Sequence, residues 1–262
     1  MRRILAAVAM AVLVVGCGRG VEADSAEDAD ESVAVSSTES ALTSELADEV
    51  AQPMSSTPEQ LAMNAVTRVG SRFKPQGCAT STQTGATVVY TLTNCTGPYG
   101  LVKVTGTLTA VYSRAAGGGV QVVITGTGVK ANDATMDINS TVIATQANGV
   151  KTANVTVNGS GSGPRGGSLT RKGSYVISYD TVAECITING TWETGTARAG
   201  ASTVVSNFKR CKGTCPAAGG SITHTSARNE TVTITYDGSA VAQWTSSAQA
   251  RSGTLNLRCG GN

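Results

Sequence analysis

Hydrophobic and polar residues alternate through most of the chain that follows Pro75. The clearest runs are Thr87–Thr93, Leu101–Tyr112 and Val120–Val129, and a period of two predicts strands. Further runs of this kind fall at 134–145, 150–158, 173–180, 184–194, 200–207, 221–226, 230–236, 240–246 and 253–259. Asn148-Gly149 and Asp237-Gly238 lie between runs, where such pairs favour hairpin turns. We therefore predict about a dozen strands joined by short turns in an antiparallel meander.

A helical pattern precedes the strands, at residues 55–73. Ser56 or Thr57 can cap the helix, Pro58 suits its first position, and Glu59 stands where the helix dipole favours an acid. Apolar residues then recur at intervals of four, at Leu61, Ala65, Val69 and Phe73. We expect this helix to pack on the β domain and to cap the end of its sheet or barrel.

The inward positions of the predicted strands are small, mostly Ala, Val and Thr, and aromatic residues make up only 4% of the chain. This composition favours a thin, twisted, extended sheet or an open barrel over a thick sandwich. An outer-membrane barrel needs aromatic girdles and an outward apolar band, whereas Lys and Arg interrupt these strands. We therefore expect an all-β fold with one N-terminal helix. Val102–Leu108 resembles Cys185–Trp192, which indicates either a duplicated β unit or merely a shared Thr/Val/Gly composition.

The chain begins with the parts of an export signal. Arg2 and Arg3 precede the apolar run Ile4–Gly16, which is too short to cross a bilayer of about 30 Å as a helix. Val14-Val15-Gly16-Cys17 resembles the lipobox of bacterial lipoproteins. The resemblance implies removal of residues 1–16 and acylation of Cys17, for example by palmitate. Since Gly18, rather than Asp, follows the cysteine, the resemblance implies an outer-membrane lipoprotein facing the periplasm or the cell surface.

Charge divides the chain into two parts. Between Cys17 and Val50 there are ten acidic residues against Arg19, and from Ala51 to Asn262 there are 17 Lys and Arg against eight Asp and Glu. We interpret residues 17–54 as a disordered acidic tether, because so few apolar residues cannot offset the entropy of ordering. The basic residues are either simply solvated or meet an anionic envelope surface. They are scattered along an exported chain, so we expect no nucleic-acid partner.

Six cysteines follow Cys17, and an even number in an exported chain predicts disulfides. Their proximity in sequence favours Cys78 with Cys95. Pairing Cys215 with Cys259 would tie the last hairpins to the C-terminus and leave Cys185 with Cys211. The alternative is Cys211 with Cys215, across a loop in which strain is common. The spacing fits neither a zinc site nor a Cys-x-x-Cys redox motif.

Residues with catalytic chemistry lack a motif around them. His224, the one histidine, stands on an alternating strand, and we expect it at the surface. Asp180 with Glu184, or Glu184 with Glu193, are the carboxylate pairs considered for glycoside hydrolysis. Asn132, Asp133 and Asp137 lack the order of a calcium loop, and Gly159–Gly167 is interpreted as a flexible loop. Trp192 and Trp244 either fill core positions or stack on sugars.

These features predict a helix and a disulfide-braced β domain at 55–262, behind the signal and the tether. Asn94–Gly100 and Cys215–Gly220, with the lipobox, resemble Thr/Gly-rich β lipoproteins of Gram-negative bacteria; the resemblance implies no activity. We expect no enzyme, metal or cofactor, and a membrane partner through the lipid. The first functional hypothesis is a non-catalytic structural or interaction protein of the envelope. The second is a carrier of a lipid or other hydrophobic ligand in a half-open β shell.

Overall fold

The computed structural model describes residues 56–96, 103–116, 118–131, 134–162, 167–196, 200–211, 213–226, 229–247 and 251–256. The predicted signal peptide, the tether, Cys17 and Cys259 lie outside the described residues. Helix α1 spans Pro58–Arg72, as predicted. Thr57 is its N-cap: its hydroxyl accepts a hydrogen bond from the Gln60 N–H at 3.3 Å, and Gln60 Oε1 accepts one from the Thr57 N–H at 2.8 Å. This reciprocal capping box satisfies two backbone donors that the first turn leaves without helical partners.

Thirteen strands follow α1 within the described residues. They are β1 (Ala79–Thr84), β2 (Thr87–Thr96), β3 (Lys103–Arg114), β4 (Val120–Ala131), β5 (Ala134–Ala147), β6 (Val150–Ser162), β7 (Ser168–Asp180), β8 (Cys185–Thr196), β9 (Gly200–Cys211), β10 (Ser221–Thr225), β11 (Thr231–Tyr236), β12 (Val241–Ser246) and β13 (Arg251–Asn256). Each strand pairs antiparallel with the next one along the chain, which makes one open sheet in sequence order. The all-β meander with one helix is therefore confirmed. In the described part of the chain, no helix has the length and apolar character needed to span a bilayer.

Two local expectations are corrected. Strand β1 was not predicted, because Ala-Thr-Ser-Thr-Gln-Thr has almost no apolar residues to alternate; its pairing with β2 defines it. The expected loop at Gly159–Gly167 is partly strand, since β6 runs through Ser162. Gly161 permits this extension: a Cβ there would lie 2.9 Å from the Met136 Cα on β5. The hairpin turn at Asn148-Gly149 is confirmed, with φ of 49° and 77°.

One face of the sheet, called the inner face below, carries the buried apolar residues. The larger cluster joins Leu61, Ala62 and Ala65 of α1 to strand residues that include Val88, Tyr112, Val122, Val142, Val155, Ile177, Phe208 and Ile234. A second cluster joins Val69 and Phe73 to Leu92, Leu108, Val129 and Met136. Helix α1 thus lies on the inner face of β1–β3, rather than simply capping an end. Burial of these apolar side chains in the two clusters is the main force that holds α1 in place.

Glycine and aromatic residues are paired across neighbouring strands of the inner face. The pairs are Gly173 with Trp192, Gly190 with Tyr175, and Gly253 with Trp244. A Cβ added at Gly173 would lie 2.8 Å from the Trp192 Cβ, and one at Gly253 would lie 2.7 Å from the Trp244 Nε1. These glycines therefore make room for large side chains on an otherwise small-residue face.

Two disulfides brace the sheet, and both agree with the pairings favoured from the sequence. Cys78 pairs with Cys95 and Cys185 pairs with Cys211. The second one joins directly opposed residues of β8 and β9. The alternative of Cys211 with Cys215 is therefore wrong. Cys215 is also disulfide-bonded, and its expected partner Cys259 lies outside the described residues.

The opposite face, called the outer face, is covered by small polar and β-branched residues. One row crosses all thirteen strands with each residue opposite the next; we call it the threonine row. Its members are Thr84, Thr87, Val111, Val123, Thr141, Thr156, Ser174, Thr191, Val204, Thr223, Thr233, Thr245 and Ser252. All of them are exposed or half-buried, and none is charged. Neighbouring members are about 4.8 Å apart along the row.

Candidate functional site

The inner face of the C-terminal half carries a group of aromatic side chains, called the aromatic strip: Tyr175, Trp192, Phe208, Tyr236 and Trp244. Phe208 and Tyr236 are buried and meet edge to face, with 5.3 Å between ring centroids and 77° between ring planes. Burial raises the pKa of Tyr236 to about 12. Tyr175, Trp192 and Trp244 are half-buried against the larger cluster. The strip thus joins the core and also presents aromatic surface that a ligand can reach.

Both tryptophans were expected either in the core or as stacking platforms for sugars. They lie on the core side of the sheet and are only partly covered. Trp192 on β8 is opposite Gly173 on β7, and Trp244 on β12 is opposite Gly253 on β13. Both side chains pack against these glycines, and each remains half-buried, so part of its surface lies outside the packed cluster.

Arg171 on β7 and Arg210 on β9 are the two buried guanidinium groups of this region among the described residues, and neither was predicted as a site residue. Arg171 lies on the inner face of β7 and is only 4% exposed. Its Nη1 donates a hydrogen bond to Thr194 Oγ1 at 3.3 Å, and its guanidinium carbon lies 5.6 Å from the centroid of the Trp192 ring. Such a position over an aromatic face is a cation–π contact. Burial lowers the pKa of Arg171 to about 10, so it stays charged at neutral pH.

A signal for Arg171 was present in the sequence. Alternate residues of β7 lie on the same face of the sheet, namely Arg171, Gly173, Tyr175 and Ile177. Because Ile177 is buried in the core, this is the inner face. An arginine at an inward position of an alternating strand is unusual, because a buried charge has a high desolvation cost. The sequence did not reveal which residues contact Arg171. Trp192 and Thr194 lie on the next strand, and the pairing register of β7 with β8 brings them next to Arg171.

His224, which we expected at the surface, is only partly exposed. It shares the parity of buried Ile222 on β10 and is half-buried on the inner face. Its Nδ1 lies 3.0 Å from the hydroxyl oxygen of Thr203, the residue opposite it on β9. Burial lowers the pKa of His224 below its usual 6.5. The imidazole is therefore mainly neutral at neutral pH and accepts or donates one hydrogen bond to threonine.

The lowered pKa of His224 predicts that the folded chain loses stability at acid pH. In the unfolded chain this histidine binds a proton near pH 6.5, whereas in the folded chain it binds one only at lower pH. The free energy of unfolding therefore rises with pH between the folded pKa and about pH 6.5. We expect the contribution to be complete above about pH 6.5 and to be lost as the pH falls towards the folded pKa. Urea unfolding of the parent and of His224→Gln, between about pH 7.5 and about pH 5, measures it. The stability of the variant should fall less; equal losses would contradict the prediction.

The structure places the two carboxylate pairs considered for hydrolysis differently. Glu184 directly precedes β8, and Glu193 lies within it, nine residues further along the chain. Nine residues of extended strand correspond to about 30 Å, whereas paired glycosidase carboxylates lie within about 10 Å. Asp180 is used by a turn: its Oδ1 accepts the N–H groups of Val182 and Ala183, both at 2.9 Å. These two bonds are the main cause of its lowered pKa, and Lys209 adds to them.

Other oxygen ligands considered for calcium also have local roles. Asp137 Oδ1 accepts the N–H of Gly128 at 2.8 Å, next to the irregular register of β4 and β5, while Asn132 and Asp133 lie outside the described residues. Among the described residues, no group of three or more His, Cys, Asp or Glu side chains is placed to hold a metal ion. No family model matches the chain, and neither a curated protein nor a solved structure matches it.

Proposed function

We propose that this chain is a lipid-anchored, non-catalytic protein of the outer membrane, which binds another envelope component through its outer face. The observation that supports this role most directly is the threonine row. It runs across every strand without a charged member, and two exposed valines, Val111 and Val204, belong to it. Depletion of charged residues is typical of the centre of protein interfaces. The surplus of basic residues after Ala51 favours an anionic surface as the partner.

Complementation in the organism that encodes the chain tests this role. A deletion strain should admit a membrane-impermeant dye, and the parent chain should restore the barrier. A variant with Thr156→Glu and Thr191→Glu places two acids in the threonine row and should fail to restore it. The matched control carries Ala183→Glu and Ala218→Glu at exposed positions outside the row and should succeed.

Two results would contradict the proposal. If the row variant and the matched control restored the barrier equally, the outer face would not be the binding surface. If the purified chain turned over an envelope glycan or lipid, the protein would be an enzyme. Accumulation of both variants is checked first by immunoblot of the membrane fraction, so that loss of the protein is not mistaken for loss of binding.

The lipid anchor has its own test. Cells that express the chain are grown with an alkyne analogue of palmitate, and the purified protein is examined for the label. We expect incorporation into the parent and none into Cys17→Ala, since acylation of this thiol is what the lipobox implies. Labelling of the Cys17→Ala variant, or an unlabelled parent, would remove the anchor from the proposal.

Carriage of a hydrophobic ligand is the second candidate function, and the aromatic strip favours it. Tyr175, Trp192 and Trp244 are half-buried on the face that carries the core, and partly covered aromatic surface is typical of ligand-binding sites. Native mass spectrometry of the chain purified from membranes should show a lipid-sized adduct that denaturation releases. If only the mass of the acylated polypeptide appears, this candidate fails.

A further inference from the structure

We propose that the outer edge of β1 is an association site, at which a second copy of the chain adds its own β1, antiparallel, about a two-fold axis at Ser81. Strand β1 is the first strand of the open sheet, and in the described part of the chain it pairs with β2 alone. The association uses the edge of the sheet rather than either face, so it does not depend on the functions proposed above.

The backbone of β1 alternates between groups that bond to β2 and groups that point away from it. The Cys78 carbonyl accepts the Thr93 N–H at 2.9 Å, and hydrogen-bonded pairs recur at every second residue of an antiparallel ladder. The β1 residues that bond to β2 are therefore Thr80, Thr82 and Thr84. The residues whose N–H and C=O groups point away from β2 are Ala79, Ser81 and Gln83. None of the described residues bonds to these outward groups, so a further strand can pair with them.

Strand β1 lacks the features that usually keep edge strands from pairing, namely charged residues, proline and bulges. Its sequence is Ala-Thr-Ser-Thr-Gln-Thr, and its register with β2 is uninterrupted. The strand at the other end of the sheet, β13, begins with the charged residue Arg251. Two copies of β1 can therefore meet without repulsion between like charges, and each keeps all its bonds to β2.

The side chain of Ser81 gives independent support for a partner at this edge. Its Oγ is buried and has no hydrogen-bond partner among the described residues. A buried hydroxyl without a partner is unfavourable, because it has given up its hydrogen bonds to water. In the proposed pair, Ser81 lies opposite Ser81 of the second copy, and hydroxyl groups at directly opposed positions can bond to each other.

The available groups also select the register of the pair. The outward residues of two antiparallel copies must lie opposite each other to exchange hydrogen bonds. An axis at Ser81 meets this condition, since it places Ala79 opposite Gln83. An axis at Thr82 meets it too, but it places Ser81 opposite Gln83, whose amide nitrogen already donates to the Glu59 carbonyl of α1 at 3.0 Å. The axis at Ser81 is therefore favoured.

Cysteine cross-linking tests this register in membranes of cells that express the full chain. In Ser81→Cys the two new cysteines are directly opposed, with about 5.5 Å between their Cα atoms, which suits a disulfide. After oxidation with copper phenanthroline, we expect a covalent dimer on a non-reducing gel, in several-fold larger amount than in the two control variants.

Thr82→Cys is the matched control for Ser81→Cys. Thr82 is the next residue and is more exposed than Ser81, so random collisions would cross-link it more readily. In the proposed register its two Cα atoms are about 8 Å apart, which is too far for a disulfide. Ser252→Cys, at an exposed position of β13, tests the other edge of the sheet.

A second measurement needs no added cysteine. The mass of the parent chain, purified in detergent, is followed by sedimentation equilibrium. It should rise with concentration towards that of two polypeptides, in the micromolar range, because two short strands bury less area than a standard interface. Ser81→Pro should remain a single polypeptide, since proline removes an outward N–H that β2 does not use and blocks the edge. Thr82→Val changes only an outer-face side chain and should associate like the parent. Circular dichroism confirms that each variant is folded.

Preferential cross-linking of Ser81→Cys, together with loss of association in Ser81→Pro, supports the inference. Equal cross-linking of Thr82→Cys, stronger cross-linking of Ser252→Cys, or association that persists in Ser81→Pro would place the contact elsewhere and overturn it. A parent chain that stays a single polypeptide at every concentration would overturn it as well. If the Ser81→Cys thiol of that single polypeptide also resisted maleimide, a segment of the same chain would be the partner of this edge.

Discussion

Replacing Phe208 with alanine should lower the free energy of unfolding by about 4 kcal/mol, because the substitution leaves a cavity as well as removing buried apolar surface. Phe208 is 1% exposed and is among the largest fully buried side chains in the described part of the chain. It also makes the edge-to-face contact with Tyr236 at 5.3 Å, which contributes beyond its buried area. Urea unfolding followed by tryptophan fluorescence measures the loss.

The matched control for Phe208→Ala is Val111→Ala. Val111 is 41% exposed on the outer face, so the same kind of truncation should change stability by no more than about 0.5 kcal/mol. If the two variants lost similar amounts, the inner face of β9–β11 would not be a packed core. The aromatic strip would then be too weakly packed to define a binding surface.

Replacing Gly190 with alanine should lower the free energy of unfolding by about 3 kcal/mol, the upper part of the range for an overpacked core. A Cβ at this position would collide with the Tyr175 Cβ on the neighbouring strand and would lie 2.6 Å from the Ser174 carbonyl oxygen. Both atoms belong to the backbone or are attached directly to it. They cannot move aside without disturbing the pairing of β7 and β8.

Gly70→Ala is the control for Gly190→Ala, since it is the same substitution in a different environment. Gly70 lies within helix α1, and a Cβ there would meet nothing within 4 Å. Alanine should therefore stabilise the chain by about 0.5 to 1 kcal/mol through helix propensity and reduced unfolded-state entropy. Opposite signs for the two variants are the expected result; a neutral Gly190→Ala would show that Gly190 does not make room for Tyr175.

The sequence pattern was most informative where it was local. The apolar period of four at Leu61–Phe73 and the Thr57-Pro58 pair predicted α1, because capping and helix periodicity depend on residues close in the chain. Alternation predicted β2–β13 for the same reason. It missed β1, whose residues alternate too weakly to be recognised. It ended β6 early at Asn158, since the space at Gly161 is limited by Thr135 and Met136 on β5.

The candidate site was less predictable than the strands that carry it. Parity along β7 and β10 places Arg171 and His224 on the same face as Ile177 and Ile222, and that much is readable from the residues. The contacts of these side chains are with the neighbouring strands: Arg171 with Thr194 and Trp192, and His224 with Thr203. A shift of one residue in pairing would have moved each partner to the outer face.

The amino-acid sequence by itself determined the fold class, the helix, most strand positions and the Cys78–Cys95 pair, whereas the structure chose Thr57 over Ser56 as the cap and Cys185 over Cys215 as the partner of Cys211. What the sequence determined follows from periodicity, turn residues or proximity along the chain. Only the tertiary structure decided the strand register, and with it the glycine–aromatic pairs, the continuous threonine row and the surroundings of Arg171. The physical reason is that strand pairing brings together residues distant in sequence, so the identity of a cross-strand neighbour depends on how every hairpin between them closes.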